Sequence, residues 1–160
     1  MLLSEKNLQR FLEFHGIEGE IVEFDTVVMG SERASKVVSE GVVVKSIVLI
    51  ADDKPILCIL RGKDRIDLEK IKKLKNCKEV RLAKAKEVKE ITGYDIGGVP
   101  PFGHLNKLET IVDEKIRELA NETLFLGGGS HYHLLKITGK ELFRVLEEVV
   151  GNTEIAEIRE

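Results

Sequence analysis

Lys45 stands in the middle of VVVKSIVLIA (residues 42–51), a run whose only other polar residue is Ser46. Desolvating an unpaired ammonium is costly, so a lysine here needs an anionic partner, access to solvent or a shifted charge state. Two readings follow. Lys45 binds a phosphate or carboxylate, or it guards an edge strand and snorkels to water. Two glycine-rich stretches could join it. GGVPPFGH (Gly97–His104) combines three glycines with two prolines, which gives a loop of few conformations whose backbone N–H groups can approach an anion or an ester carbonyl. A plain tight connection has the same composition. GGGS (Gly127–Ser130) lies between two expected strands, where three glycines weaken a sheet unless something must come close to the backbone or the strand bulges.

The histidines offer further chemistry. His131 and His133 alternate on an expected strand and so share one face, and His104 could complete a metal site with them. No Cys pair or acidic ligand accompanies them, and a histidine pair facing solvent is the commoner arrangement. No metal is expected. His104 directly follows the glycine loop and is the histidine placed to face a pocket as a hydrogen-bonding partner. Ser46, His104 and Asp113 supply the residue types of a hydrolytic triad, but the sequence has no nucleophile elbow.

These residues must be positioned by secondary structure. Ser4 caps a helix with Leu8, Phe11 and Leu12 on one face and Gly16 as its stop. Glu20–Val28, which contains Thr26, has the composition of a strand, and Ser31 caps a short helix that ends by Gly41. Residues 42–51 and 55–62 form a hairpin across the turn DDKP. Asp67 caps a helix carrying Leu68, Ile71 and Leu74, Glu79–Ala83 is a short strand, and KAKEVKEITG is a basic helix stopped by Gly93. Strands follow at 109–114, 122–127 and 131–138. Thr138 and Glu141 have the spacing of a capping box for a helix through Val149, and 154–158 adds a last strand. Hairpins interrupted by helices predict one α+β domain over residues 1–160, on a mixed, mostly antiparallel sheet.

The chain has 160 residues, 42% hydrophobic and 33% charged, enough apolar material for one core and too much for disorder. No apolar run approaches the ~18 residues of a membrane helix, and MLLSEKNLQR lacks the apolar stretch of a signal peptide. A cytoplasmic protein is expected, with neither membrane nor DNA as a partner. Cys58 and Cys77 stand alone and read as reduced packing residues. The net charge is −3, yet residues 61–89 hold twelve Lys or Arg against five acids. A basic flank on an acidic body suits a partner that presents phosphates to one side, or is simply a solvated helical face.

Taken in order, the Lys45-Ser46 pair in its apolar strand, the GGxxPxG pattern at Gly97, Gly98, Pro101 and Gly103, and the strand–GGGS–strand unit resemble the YbaK/prolyl-tRNA synthetase-associated domain family. The resemblance covers most of the chain. It implies a sheet curled into a partial barrel with flanking helices, no cofactor, and hydrolysis of wrongly aminoacylated tRNA by a freestanding deacylase. It also implies a site. Lys45, Gly98 and His104 would serve catalysis, with Thr26, Gly97, Pro101, Gly103, Gly127, Gly128, Gly129 and Ser130 around the aminoacyl group. Asp113 lies in the family's V/I-D-E segment. Lys72, Lys73 and Lys75 on the basic flank would take the tRNA, and a synthetase could be a second partner. The cysteinyl-tRNA deacylase branch places an aspartate after the second glycine cluster, where this chain reads SHYHLL. A non-catalytic module that binds tRNA or a synthetase is the alternative.

Overall fold

The computed structural model describes residues 2–160. Helix α1 (Glu5–Phe14) starts at the expected cap: the Ser4 hydroxyl accepts from the Lys6 N–H, and the Asn7 side chain accepts from the Ser4 N–H at 2.9 Å. Its buried Leu8 and Leu12 enter the core. Strand β1 (Gly19–Glu23) is shorter than expected. Past it the chain bends away, although the Phe24 and Val28 N–H groups still donate to the Tyr132 and His131 carbonyls at 2.8 Å. Thr26 therefore lies exposed in a bend and not on a strand.

Helix α2 (Ser31–Val37) is capped by Gly30, at φ 92°, and Ser31 is its first residue. The Ser31 hydroxyl is turned toward the Gly62 carbonyl, 3.4 Å away, which explains why it does not cap. Strands β2 (Val42–Ala51) and β3 (Lys54–Arg61) form the expected hairpin. Helix α3 (Leu68–Lys75) is capped by Asp67, whose carboxylate accepts from the Glu69 and Lys70 N–H groups. Strand β4 (Val80–Leu82) and helix α4 (Ala85–Thr92) follow, then β5 (Glu109–Asp113) and a 3-10 turn over Glu114–Leu119.

Strand β6 (Thr123–Ser130) contains the whole GGGS segment and is bulged between Gly127 and Ser130, where its register against β7 (His133–Thr138) shifts. His131 lies in the connecting turn, so it does not alternate with His133 on a strand face. Thr138 caps helix α5 (Gly139–Val145), but the Glu141 carboxylate accepts from the Glu18 N–H and pairs with Arg144 instead of closing a capping box. A π-helical turn over Leu146–Val150 leads to β8 (Thr153–Ala156).

The eight strands form one mixed sheet in the order β1-β7-β6-β2-β3-β5-β8, with β4 added beside β2. Four ladders are antiparallel (β1/β7, β6/β7, β2/β3, β2/β4) and three are parallel (β2/β6, β3/β5, β5/β8). The sheet is not closed, because β1 and β8 end it without meeting. Its two arms nonetheless share one core: Val44, Val48, Leu57 and Ile59 from one arm pack with Leu124, Leu126, Leu135 and Ile137 from the other. Helix α3 covers the opposite face, where Ile71 packs with Leu49, Cys58 and Ile111.

One detail of the pairing positions the site. β3 pairs one edge of β2 from Val44 to Ala51, but the other edge is shared: β6 pairs only Val42 and Val43, and β4 only Leu49–Ala51. Between them the sheet is split. The Gly62 N–H donates to the Val43 carbonyl and the Ala83 N–H to the Val48 carbonyl. Antiparallel alternation then turns the main-chain groups of Lys45 and Ile47 toward β3 and those of Ser46 toward the split.

Candidate functional site

A cavity of about 310 Å³ occupies this split. Its walls come from β2 (Val43–Val48), the 28–34 segment with α2, the end of β4 with Val88 of α4, the loop 96–99, and Phe125–Gly127 of β6. Ligand sites typically run from about 300 Å³ upward, so this one suits a small acyl or amino-acid group and not a whole nucleotide. Most of the wall is aliphatic. The polar groups are few, and two of them are adjacent in sequence: Lys45 and Ser46.

The Lys45 ammonium donates to the Gly62 carbonyl at 3.2 Å, the acceptor toward which Ser31 also points. An ammonium has three donors, and no carboxylate lies within ion-pair distance of this one among the described residues. Burial holds the Lys45 pKa below its ordinary value, against the upward pull of Asp64 and with a smaller downward push from Arg65. Ser46, on the core-facing side between Val44 and Val48, has its hydroxyl oxygen buried without a hydrogen-bond partner.

Of the other expected site residues, Gly97 and Gly127 line the cavity. The remaining residues of that group do not. Gly98 donates its N–H to the Asp95 carbonyl at 3.1 Å and accepts from the Gly129 N–H at 3.0 Å, so neither amide is a free donor. The three consecutive glycines are required by the protein's own backbone. A Cβ on Gly127 would stand 2.3 Å from the Val99 carbonyl oxygen, one on Gly128 2.5 Å from that of His133, and one on Gly129 2.9 Å from the Glu5 nitrogen. They let the 97–99 loop, β7 and α1 press on one strand from different sides. Ser130 spends its hydroxyl on His133 Nδ1 and the Tyr132 N–H.

His104 does not line the cavity. Its Nε2 bonds the Pro100 carbonyl at 2.7 Å, and its ring stands edge-on to Tyr94 at 6.5 Å between centroids. Burial pushes its pKa down to about 4, partly opposed by the Pro100 hydrogen bond. A neutral imidazole with a proton on Nε2 results, and it braces the loop that Pro101 and Gly103 belong to. Tyr94, fully buried, adds a bond from its hydroxyl to the Gly103 carbonyl at 3.1 Å. The triad spelled by Ser46, His104 and Asp113 does not assemble: Asp113, fully buried, accepts instead from the Ile158 N–H, the Lys115 N–H and Arg159. Nor do the histidines converge, since His131 pairs with Asp95 at 3.3 Å and His133 with Ser130. Among the described residues no group of three His, Cys, Asp or Glu is arranged to hold a metal, and no helix is long and apolar enough to cross a membrane.

The basic flank divides in two. Lys72, Lys73 and Lys75 lie on α3, none of them at the cavity, and Lys75 is tied to Glu109 at 2.7 Å and Glu154 at 2.9 Å. Lys86 and Lys89 of α4 line a groove with Met29, Asp95, His131 and Ile96, where Lys89 pairs with Asp95 at 3.1 Å, and Ile96 is also a cavity residue. Sequence reasoning missed this groove and the contribution of Val28, Val88, Val99 and Phe125. No local motif marks Val28, Val88 or Phe125, and Val99 sits among the glycines and prolines of GGVPPFGH that drew attention instead; they meet only because β4, β6 and the 96–99 loop converge on the split.

The site is thus a small cavity with one lysine in an open-edged mixed sheet. The description of the aminoacyl-tRNA editing domain matches residues 25–145, and the chain belongs to that family. It is 30% identical over 143 residues to YwhH, an uncharacterised protein of Bacillus subtilis, covering 88% of this chain and 89% of that one. It is also 40% identical over 79 residues to a proline–tRNA ligase of Lactobacillus gasseri, a match to 49% of this chain but only 14% of the ligase. Among solved structures, a proposed trans-editing enzyme for prolyl tRNA synthetase superposes with a TM-score of 0.82 at 30% identity, over 98% of this chain and 96% of that one.

Proposed function

We propose that the protein is a freestanding deacylase that hydrolyses the ester of mischarged tRNA, acting alongside a prolyl-tRNA synthetase. The observation that carries this reading is the cavity: it is sized for an aminoacyl group, and at its polar side Lys45 has donors left over beyond its one bond to a protein carbonyl. The terminal ribose or phosphate would lie on that ammonium, with the amino acid inside. In the reaction water adds to the ester carbonyl carbon, the bond to the ribose oxygen breaks, and that oxygen takes a proton originally on the water. An activated ester needs a positioned water and donors for the developing oxyanion more than a strong nucleophile. The Ser46 main-chain N–H, which faces the split, is the donor best placed to serve, whereas the Gly98 N–H is already committed. The tRNA end would leave the cavity over Ile96 toward Lys86 and Lys89, with the α3 lysines at most a further contact.

A second reading is a binding module without turnover, favoured by the commitment of the Gly98 and Gly129 amides to internal bonds. A panel of mischarged tRNAs, including alanyl-, seryl- and cysteinyl-tRNA with the proline anticodon, incubated with wild type and Lys45→Met, separates the two. Ester loss that vanishes in the variant supports the deacylase. Salt-dependent tRNA binding without any ester loss supports the module.

A further inference from the structure

The Gly62 carbonyl that receives Lys45 belongs to a turn that holds it still. The Asp64 N–H donates to the Arg61 carbonyl at 3.1 Å, closing a four-residue turn over 61–64, and the carbonyl of the second residue takes no part in such a turn's own bond. That free carbonyl is the acceptor for the Lys45 ammonium at 3.2 Å and the Ser31 hydroxyl at 3.4 Å. Gly62 itself is gripped: its N–H donates to the Val43 carbonyl at 2.8 Å, and a Cβ there would stand 3.0 Å from both the Ser31 Cβ and the Val43 Cγ1. On the same turn the Arg61 guanidinium clasps the Asp64 carboxylate with two bonds, from Nε at 2.6 Å and from Nη2 at 3.1 Å, and the two side chains are only 23% and 13% exposed.

Asp64 stops short of an ion pair with Lys45. Its charge still reaches the lysine: burial works against the Lys45 proton, Asp64 holds it on, and Arg65 adds a smaller push against it. No other counter-charge is at hand, since no carboxylate lines the cavity among the described residues, and Glu32 of α2 faces a groove outside the turn together with Arg61 and Lys63. A carboxylate free to move would close on the ammonium in a charge-assisted bond and take up the donors that a substrate needs. The rigid fork of an arginine prevents that. Resting on the deacylase reading, we infer that Arg61 and Asp64 are positioning residues for Lys45: the fork holds the carboxylate near enough to act as a counter-charge and far enough to leave the ammonium to the substrate. The two act in opposite senses. Without the Asp64 charge, burial and Arg65 act on the ammonium unopposed and it sheds its proton more readily. Without Arg61, Asp64 is released toward Lys45, which keeps its proton more firmly but commits its donors to the protein.

The test measures the pH at which the Lys45 amine becomes reactive toward acetic anhydride, read by peptide mass mapping against the other lysines, in wild type, Asp64→Asn and Arg61→Gln. In parallel, kcat and KM are followed across pH for the mischarged tRNA that wild type cleaves. Asp64→Asn should move the onset of Lys45 reactivity to lower pH and the alkaline limit of hydrolysis with it. Arg61→Gln should move the onset to higher pH while raising KM by about tenfold, the order of one hydrogen bond to a charged group. Opposite displacements from the two halves of one pair cannot come from a turn that has merely loosened. Asp64→Ser and Arg61→Lys carry the same signs and serve where the first variants do not fold. Displacements in one direction, or an onset unmoved in both variants while activity drops at every pH, would make the pair a structural staple of the turn and overturn the inference. If wild type cleaves no ester, the deacylase reading fails, and the reactivity profiles alone decide the pair: opposite displacements uphold its hold on Lys45, an unmoved onset sinks it.

Discussion

Lys45 and Gly62 meet across the cavity rim, with the ammonium nitrogen 3.2 Å from the carbonyl oxygen and no carboxylate paired to it. The lysine is thus held in place by a neutral acceptor and keeps its charge for something else. Because burial lowers its pKa in the folded chain below the ordinary 10.5, the unfolded chain binds that proton more tightly. Stability must then rise as pH climbs toward 10.5, since the strain of the buried charge is relieved by deprotonation. Lys45→Met should abolish ester hydrolysis, leave the denaturation midpoint at neutral pH equal to or above that of wild type, and flatten the rise at alkaline pH. Denaturant titrations from pH 7 to 10.5 check this; a large destabilisation at neutral pH would make the lysine a structural residue.

The glycines should separate sharply under substitution. Gly127→Ala forces a methyl to within 2.3 Å of the Val99 oxygen, where backbone meets backbone and neither can yield cheaply. We expect a loss of about 1–3 kcal/mol of stability together with lost activity, because the 97–99 wall of the cavity must move. At Gly98 the same methyl meets its nearest atom at 3.4 Å, so the fold should tolerate it. Thermal melts of the two variants side by side give the answer.

His104, held by the Pro100 carbonyl outside the cavity, should make the protein sensitive to acid. Its folded pKa is about 4 against the ordinary 6.5, so between these values the unfolded state takes up a proton that the folded state refuses. Stability is complete above pH 6.5 and falls as pH drops toward 4. Replacing His104 with Gln should remove this component from the pH profile while leaving the neutral-pH hydrolysis rate within a few-fold of wild type. A rate collapse at neutral pH in a folded variant would restore His104 to the active site.

Asp113 is a matter of architecture. It is fully buried and receives the Ile158 N–H at 2.9 Å and Arg159 at 3.0 Å, which anchors residues 158–159 beside β5. Asp113→Ala leaves the Ile158 and Lys115 N–H groups without their acceptor and Arg159 with only Glu114 at 3.6 Å, and an orphaned buried donor costs about 1–3 kcal/mol. Urea midpoints should drop accordingly, and Asp113→Asn, which can still accept, should lose less.

The order of elements, the β2–β3 hairpin and the standing of Lys45 could be read from periodicity, caps and one charge in an apolar run. The function of GGGS could not. Three glycines announce a close approach, but only the fold reveals that the 97–99 loop, β7 and α1 are what approaches. His104 misled for a related reason: its place after Gly103 suggested a pocket, while Tyr94, ten positions upstream, claims its ring and Pro100 its proton. Lys75 looked free in a lysine-rich helix, yet Glu109 and Glu154 reach it from strands distant in sequence. Parallel pairing of β3, β5 and β8 was equally hidden, since no local signal says which strand a distant one will join.

The split in the sheet leaves an edge inside the molecule, and an unpaired strand edge invites other chains to add to it. Here the invitation is brief. Only Val44–Ile47 is bare, about 13 Å of strand, with β6 pairing ahead of it and β4 behind. A foreign strand of ordinary length would collide with both before it could register, whereas a compact ligand fits between them. The same interruption that opens a binding site thus keeps this internal edge too short to template aggregation.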